Sequence, residues 1–191
     1  LQDLRKNFSR KTLNALVICA GNSRQQFKPG VPGVQWKNGA MGNARWTGVP
    51  LSELLAAAGV KDGAFAVSFN GLDHPPFEKT PDFVKSLPID RAMDGEVMVA
   101  YEMNGAPIPH DHGFPVRLVV PGWMATYWIK QVSQISVKSK PLDHFWMNPA
   151  YRVPREETPP YESFKSQERS DTKPVTEIAV NSLITYPVAN Q

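Results

Sequence analysis

Cys19 is the residue of this sequence most able to do chemistry. It is the only cysteine in the chain, and it ends an apolar run, 13–19 (LNALVIC), that leads into the small-residue turn 20–22 with Arg24 close behind. A thiolate ligates metals and attacks electrophiles, and a nearby cation or a turn of N–H groups stabilises it. A lone cysteine is also commonly a small buried hydrophobe. The residues alone therefore leave two interpretations of Cys19, a functional thiolate and a packing residue.

A functional thiolate needs partners, and the histidines are the first to consider. A single cysteine excludes an internal disulfide and a multi-cysteine zinc site. A nucleophilic cysteine wants a histidine as its base, and every histidine is remote from Cys19 in sequence, which leaves a cysteine hydrolase open. His110 and His112 form a His-x-His pair that either binds a metal or lies on the surface beside a glycine turn. The histidines are His74, His110, His112 and His144.

Two basic residues lie where apolar strands are expected. Arg117 stands near the start of the apolar segment 115–122, and Lys130 lies within 127–137. A charge that enters a buried strand needs a partner, and for Arg117 an anion is the obvious one. Lys130 either extends its ammonium to the surface or donates to a buried anion. Tyr151 stands between two prolines, in a rigid loop that lines a pocket or fills a core. Together these residues predict an anionic ligand, with or without a soft metal.

Length and composition limit the classes of protein to which the chain can belong. Its 191 residues suffice for one sizeable domain, and 41% hydrophobic with 20% charged residues predicts a folded, soluble protein. The net charge of +3 is small and evenly spread, which argues against nucleic-acid binding. No segment approaches the roughly 18–20 apolar residues that cross a bilayer. The chain begins at Leu1 without a signal peptide, which predicts a piece cut from a longer protein.

The elements predicted from the sequence are short. Eighteen prolines and thirteen glycines indicate short strands, many turns and long ordered loops. Residues 49–59 are typical of a helix that stops at a glycine, residues 25–46 of a functional loop, and residues 80–94 of a short helix with a turn. Strands are predicted at 13–19, 64–69, 96–109 (with a tight turn at Asn104-Gly105), 115–122, 127–137 and 175–187. This mixture predicts an α+β fold.

Six stretches, read in chain order, resemble the molybdenum-cofactor domain of the sulfite oxidase family. They run collinearly over about residues 13–155: CAGNSR, GVQWKNGAMGNARWTGVPLSELL, FNGLD, AYEMNGAPIPHDHGFPVRLVVPG, WIKQVSQISV and FWMNPAYR. The combination of YEMNG with DHGFPVRLVVPG after the cysteine is specific. The resemblance implies an α+β, mixed-sheet sulfite oxidase-type domain over residues 1–155 that lacks its N-terminal part. Residues 156–191 would be an extended linker and the start of the family's C-terminal immunoglobulin-like dimerisation domain, through which a homodimer can form.

The resemblance implies a molybdenum–molybdopterin cofactor and assigns residues to it. Cys19 matches the cysteine whose thiolate binds molybdenum, and the pterin dithiolene supplies two further sulfurs, so one cysteine suffices. A soft thiolate suits such a metal. Arginine and lysine suit the cofactor's phosphate, and an aspartate can accept from the pterin amino groups. The positions that match the family's pterin contacts are Asp73, His112, Arg117, Trp128, Ile129 and Lys130.

The resemblance also implies a reaction, the oxidation of sulfite to sulfate by oxygen-atom transfer. Arg24 and Trp36 match residues that line the family's substrate pocket, and a guanidinium with fixed donors suits a small anion. Tyr151 matches the active-site tyrosine, whose hydroxyl points at the substrate and is implicated in proton-coupled electron transfer. The chain has no Cys-x-x-Cys-His haem motif, so the implied electron acceptor is an external cytochrome c or another one-electron acceptor.

The sequence departs from the family in two places. Ser23 stands where many members have arginine, which removes one charge near the metal. Residues 1–18 do not match the upstream segment that supplies a further arginine, and Arg5 and Arg10 are not assigned that role. Two alternatives follow: another molybdopterin oxygen-transfer enzyme, such as a nitrate or sulfoxide reductase, and a truncated fragment without cofactor or activity. FWMNPAYRVP and the absence of a cytochrome b5 module resemble bacterial sulfite dehydrogenases, which implies a periplasmic location.

Overall fold

Short strands and short helices make up the fold. The computed structural model describes residues 1–156, 162–163, 169–180 and 182. The helices are α1 (Gln2–Asn7), α2 (Leu51–Ala58) and α3 (Ile89–Met93), and single 3-10 turns lie at Arg24–Gln26, His110–His112 and Ala125–Tyr127. The strands are β1 (Lys11–Ile18), β2 (Met41–Pro50), β3 (Ala66–Gly71), β4 (Lys85–Pro88), β5 (Met98–Met103), β6 (Ala106–Pro107), β7 (Arg117–Val119), β8 (Val132–Lys138), β9 (Arg152–Pro154) and β10 (Thr172–Pro174). Within the described ranges, none of the helices has the length and apolar character that crossing a membrane requires.

A five-stranded sheet contains the strand that leads directly to Cys19. Its order is β1–β2–β5–β6, and β7 also pairs with β5. A Cβ at Gly48 would lie 2.2 Å from the carbonyl oxygen of Val99, so only glycine permits the close approach of β2 to β5. The pairing of β1 with β2 ends at Ile18 opposite Met41. Cys19 therefore follows directly after the end of a well-paired strand, and this pairing holds the backbone of Cys19 in place.

One hydrophobic core joins this sheet to a second sheet of order β4–β3–β8. Trp46, Met98 and Leu118 of the first sheet and Phe69 and Leu87 of the second are each at most 1% exposed. Burying a side chain of this size contributes about 1.5–3 kcal/mol relative to leaving it exposed. Both sheets therefore position their end residues relative to the same packed core.

The described residues near the C terminus pair with the rest of the domain. β10 pairs with β9, Glu177 forms an isolated bridge with Trp123, and the amide of Ile178 donates to the carbonyl of Gly122 at 2.8 Å. Of the strand predicted at 175–187, residues 175–180 and 182 are described, and the others lie outside the described residues. Within residues 175–180, strand pairing is limited to the bridge at Glu177.

The α+β class and several predicted elements are confirmed. The helix predicted at 49–59 is α2, which ends at Gly59 with a left-handed φ of 75°. Asn104 and Gly105, both with positive φ, join β5 to β6 as a two-residue hairpin turn. Mixed sheets were expected, whereas the strand pairs in the described part of the chain are antiparallel. The helices explain this, because α2 and α3 connect strands of different sheets, and parallel neighbours need a crossover within one sheet.

Three segments differ from their predicted structure. The loop predicted at 25–46 gives way to β2 at Met41, and the segment 80–94 contains β4 before α3. The strand predicted at 127–137 begins only at Val132, because Gln131 has a φ of 50° that interrupts extended backbone. β2 and β4 lack clear alternation of apolar and polar residues, and their partners are distant in sequence. Tertiary pairing therefore makes strands there that local patterns do not indicate.

Candidate active site

The thiol of Cys19 lies in a tight turn at the end of β1. The amide of Cys19 donates to the carbonyl of Ala40 at 2.9 Å, and its own carbonyl accepts from the amide of Asn22 at 2.9 Å. The amide of Gly21 lies 3.4 Å from Sγ and donates to it. Cys19 is half-buried rather than packed in the core, and an N–H directed at sulfur stabilises a thiolate. This geometry favours the functional interpretation of the cysteine over the packing one.

Cys19 opens onto a cavity of about 430 Å³ that gathers seven of the ten predicted site residues. They come from segments up to 132 positions apart in sequence, so the fold assembles them. The predicted residues that line it are Cys19, Asp73, Arg117, Trp128, Ile129, Lys130 and Tyr151, and its other lining residues are Ala20, Phe83, Ala125, Thr126 and Gln131. A larger cavity of about 530 Å³ lies elsewhere, beside residues 141–152 and 169–174, and none of the predicted residues lines it. The smaller cavity is therefore the candidate site.

Arg117 is a buried cation at the wall of this cavity. Its side chain donates to the carbonyl of His112 at 2.9 Å and to the carbonyl of Trp128 at 3.3 Å. Among the described residues, its buried Nε has no hydrogen-bond partner and no carboxylate lies within ion-pair distance. Burial lowers the pKa of Arg117 to about 10, so the group stays charged at neutral pH. A buried guanidinium with an unused N–H is suited to bind an anion.

Two glycines allow the charged residues of the cavity to approach each other. A Cβ at Gly71 would lie 2.4 Å from a carboxylate oxygen of Asp73 and 2.7 Å from the carbonyl oxygen of Lys130. Gly113, with a φ of 107°, would place a Cβ 3.0 Å from Cβ of Lys130 and 3.1 Å from Cβ of Arg117. A side chain at either position would force these residues apart. Gly71 and Gly113 were not singled out from the sequence, although Gly71 lies in the FNGLD motif and Gly113 in DHGFPVR.

The 3-10 turn His110–His112 supports both cations through its backbone. The carbonyl of Asp111 accepts from Nζ of Lys130 at 2.9 Å, and the carbonyl of His112 accepts from Arg117. The side chain of His112 is exposed and is not among the described residues that line the cavity. The structure therefore places His112 beside the site through its main chain.

Arg24 and Trp36 lie over the turn that carries the cysteine. A Cβ at Gly21 would be 2.9 Å from Nη2 of Arg24 and 3.1 Å from Cδ1 of Trp36. Nη1 of Arg24 donates to the carbonyl of Val34 at 3.1 Å, and it would lie 2.2 Å from a Cβ at Gly33. The guanidinium is thus held between two glycines, next to the cavity but not among the described residues of its wall.

Aromatic side chains surround the ring of Tyr151. Its ring centroid lies 6.2 Å from that of Phe83, edge-on, and 6.1 Å from that of Trp146. The backbone of Tyr151 has a left-handed φ of 56°, and its carbonyl accepts from the amide of Val175 at 2.8 Å. A non-glycine residue in this conformation is uncommon and is retained where surrounding contacts impose it.

The electrostatic surroundings link Tyr151 to the cysteine. Burial is the main cause that raises the pKa of Tyr151, and the nearby Cys19 raises it further. The Thr126 hydroxyl and the charge of Arg24 act in the opposite direction. The phenol therefore lies within electrostatic range of the thiol and of Arg24, and its raised pKa keeps it protonated at neutral pH.

Lys85 is a residue of this region that the sequence interpretation missed. It is 1% exposed, and its Nζ donates to the carbonyl of Trp146 at 2.5 Å. The ammonium lies 5.2 Å from the ring centroid of Tyr151, and burial lowers the pKa of Lys85 to about 8. The signal was present, because a lysine in FVKSLP is a base in an apolar segment, like Lys130 in YWIKQV.

The donor set fits a cofactor that brings its own metal ligands and an anionic group. Among the described residues, no cluster of three or more His, Cys, Asp or Glu side chains could hold a metal ion. Cys19 can supply one soft ligand, and the unused N–H of Arg117 can donate a hydrogen bond to an anion. A molybdopterin, with its dithiolene and phosphate, meets both requirements.

The fold and this site together define a molybdopterin-binding oxidoreductase domain. Residues 1–146 match the family model of the oxidoreductase molybdopterin binding domain, and the chain belongs to that family. The match confirms the resemblance to the sulfite oxidase-like molybdoenzymes that the motifs indicated. The sulfite oxidase-type α+β fold and the molybdenum cofactor of the family are confirmed with it.

Three known proteins show the range of this similarity. The chain is 40% identical over 158 residues to the mitochondrial sulfite oxidase of Mus musculus, and the match covers 80% of this chain and 28% of that protein. It is 34% identical over 193 residues to a nitrate reductase (NADPH) of Fusarium oxysporum, and this match covers 98% of this chain and 21% of that protein. The crystal structure of the sulfane dehydrogenase SoxCD from Paracoccus pantotrophus matches with a TM-score of 0.68 and 33% identity. This match covers 80% of this chain and 38% of that chain. The chain thus spans less than two fifths of each relative.

Proposed function

We propose that this protein oxidises sulfite to sulfate by oxygen-atom transfer and passes the electrons to an external one-electron acceptor such as cytochrome c. The observation that carries the proposal is that Cys19, Arg117, Lys130 and Tyr151 line one cavity of about 430 Å³. This combines a soft metal ligand, two cations for an anionic cofactor and one phenol. The similarity to sulfite oxidases at up to 40% identity supports sulfite as the substrate.

On the cofactor side, Cys19 is the proposed molybdenum ligand. When bound, the cofactor supplies oxygen-atom transfer and the storage of two electrons. Arg117 and Lys130 are proposed to bind its phosphate with charge-assisted hydrogen bonds, and Asp73 to accept from the pterin amino groups. The remaining proposed contacts are Trp128 and Ile129 in the cavity wall and His112 beside it, through its main chain.

On the substrate side, three residues are proposed to act on the anion. Arg24, held between two glycines beside the cysteine turn, can donate to sulfite oxygens without losing much side-chain freedom. Tyr151 donates from a phenol whose raised pKa keeps its proton in place. Trp36, which lies with Arg24 over the turn that carries the cysteine, is proposed to line the substrate pocket beside it. Together they orient the substrate anion and balance its charge.

Metal analysis of the purified protein tests the assignment of the cysteine. We expect stoichiometric molybdenum in the wild-type protein and its loss in Cys19→Ser, because a hydroxyl is a poor ligand for a soft metal. Circular dichroism checks that the variant still folds. Molybdenum that stays bound in Cys19→Ser contradicts the assignment, and wild-type protein that takes up no cofactor favours the inactive-fragment alternative.

A second candidate keeps the cofactor and changes the substrate. The nitrate reductase match covers 98% of the chain, and the structural match is to a sulfane dehydrogenase. Parallel assays distinguish these: sulfite-dependent or sulfane-dependent reduction of cytochrome c, and nitrate-dependent oxidation of a reduced viologen. We expect turnover with sulfite. Turnover with nitrate or a sulfane sulfur compound and none with sulfite would overturn the substrate assignment.

The domain organisation and location are proposed from family resemblance. Residues 1–155 form the cofactor domain in this proposal, and 156–191 lead into an immunoglobulin-like dimerisation domain. The proposed location is the periplasm. Fractionation of cells that produce the complete protein, followed by light scattering of the purified product, tests both proposals. A cytoplasmic monomer would contradict them.

A further inference from the structure

Lys85 is a buried cation without a role in the proposed function. Its side chain is 1% exposed at the start of β4, and its ammonium donates to the carbonyl of Trp146 at 2.5 Å. In the described part of the chain, no carboxylate lies within ion-pair distance of it. Burying a charge without an anion is costly. Other groups around Lys85 must therefore stabilise the ammonium.

Two tyrosine rings supply this stabilisation. Nζ of Lys85 lies 4.5 Å from the ring centroid of Tyr127 and 5.2 Å from that of Tyr151. Both distances are within the roughly 6 Å over which an aromatic face attracts a cation. Tyr127 is buried in the core, whereas Tyr151 lines the cavity that contains Cys19. The second contact therefore connects Lys85 to the site.

The ammonium also ties together the groups that surround the ring of Tyr151. Trp146 packs against that ring, and its carbonyl is the acceptor for Lys85. Phe83, two residues before Lys85, packs edge-on against the same ring. Lys85 thus lies over the ring face of Tyr151 and is hydrogen-bonded to the segment that carries one of the ring's aromatic neighbours.

We propose that Lys85 is a positioning residue for Tyr151, whose ring it holds by cation–π attraction so that the phenol points into the cavity. This inference rests on the proposed function, in which Tyr151 acts on the substrate anion. Burial lowers the pKa of Lys85 to about 8, so most of the side chains carry the required charge at neutral pH. Cys19, in the cavity wall, and Arg24, beside the cavity, also affect the pKa of Tyr151, and Arg152 affects the pKa of Tyr127.

Fluorine NMR tests the positioning without using activity. Para-fluorophenylalanine incorporated at position 151 of the cofactor-loaded protein reports the ring's surroundings and has no hydroxyl to titrate. We expect one narrow resonance with Lys85 present, a similar resonance in Lys85→Arg, and a shifted, broadened or split resonance in Lys85→Met. Lys11→Met is the matched control, since Nζ of Lys11 also donates to a backbone carbonyl, that of Gly95, at 2.5 Å. A narrow, unshifted resonance in Lys85→Met overturns the proposal.

A double-mutant cycle tests whether the positioning matters for turnover. We expect Lys85→Met to lower kcat with sulfite about 10- to 100-fold, with little change in KM, because a misplaced catalytic group costs that much. The same change in a Tyr151→Phe background should cause no further loss. An equal loss in both backgrounds overturns the proposal. If Tyr151→Phe alone leaves turnover unchanged, the proposed role of Tyr151 fails, and the fluorine experiment still decides whether Lys85 orients the ring.

Discussion

The guanidinium of Arg117 donates to the carbonyl oxygen of His112 at 2.9 Å. These two residues come from one motif, and both match pterin-binding positions of the family. The structure separates their contributions, because Arg117 is buried in the cavity wall whereas the imidazole of His112 is exposed. The contact between them uses only the main chain of His112, which any residue can supply.

Replacing Arg117 should therefore weaken cofactor binding far more than replacing His112. We expect Arg117→Gln to bind the cofactor about 10- to 100-fold more weakly, since it removes charge-assisted hydrogen bonds to an anion. His112→Ala keeps the carbonyl that holds Arg117 and should bind within about threefold of wild type. Molybdenum and pterin contents of the purified variants, with titration of the apo-protein, measure this difference. Equal losses would show that the imidazole itself binds the cofactor.

Gly33→Ala should displace the side chain of Arg24 and leave molybdenum binding unchanged. A Cβ at Gly33 would lie 2.2 Å from Nη1 of Arg24, so the guanidinium must move away from the cysteine turn. We expect the KM for sulfite to rise about tenfold, because one charge-assisted hydrogen bond to the substrate is lost. The molybdenum content should be unchanged. Gly39→Ala is the control, because Gly39 also has a positive φ, 98°, but no atom lies within 4 Å of its Cβ position. An identical effect of both variants would point to backbone strain instead of Arg24.

Tyr151→Phe should keep the cofactor and slow turnover. The ring contacts with Phe83 and Trp146 do not need the hydroxyl, so folding and molybdenum content should match wild type. We expect kcat to fall about 10- to 100-fold, the usual range for a lost hydrogen-bond donor or proton-transfer group. Steady-state kinetics with sulfite measure this, and an unchanged kcat would remove Tyr151 from the mechanism.

The pH dependence of stability should report the burial of Lys85. Its pKa falls from 10.5 to about 8 on folding, so between these values the unfolded chain binds more protons than the folded one. The free energy of unfolding therefore gains a contribution that increases with pH over this window. We expect wild type to gain about 2 kcal/mol relative to Lys85→Met between pH 7 and pH 9.5.

Urea unfolding of both proteins at the two pH values measures this gain. The comparison with Lys85→Met removes the contributions of Tyr127 and Tyr151, whose raised pKa values act in the opposite direction above pH 10. A constant difference between wild type and Lys85→Met would mean that Lys85 is solvated in solution.

Local patterns were sufficient where an element carries its own signals. The helix α2 has apolar residues on one face and a glycine at its end, and the Asn104–Gly105 turn tolerates positive φ at both residues. β4 has no such signal, and its strand character comes from pairing with β3. Because the segment 80–94 is predicted as a short helix and a turn, the burial of Lys85 was missed, although its apolar neighbours in FVKSLP are a signal for it.

The amino-acid sequence by itself determined the family of the chain, since residue types and motif order indicate it. Through that resemblance it predicts a thiolate ligand, cations for a phosphate and a phenol as the chemical groups of the site. Only the tertiary structure decided how these groups act. It brought Cys19 and Tyr151 to one cavity, turned the imidazole of His112 outward, and placed Lys85 against the ring of Tyr151. The physical reason is that these relationships depend on packing between segments distant in sequence, where the shared core and close glycine contacts, rather than local preference, set the distances.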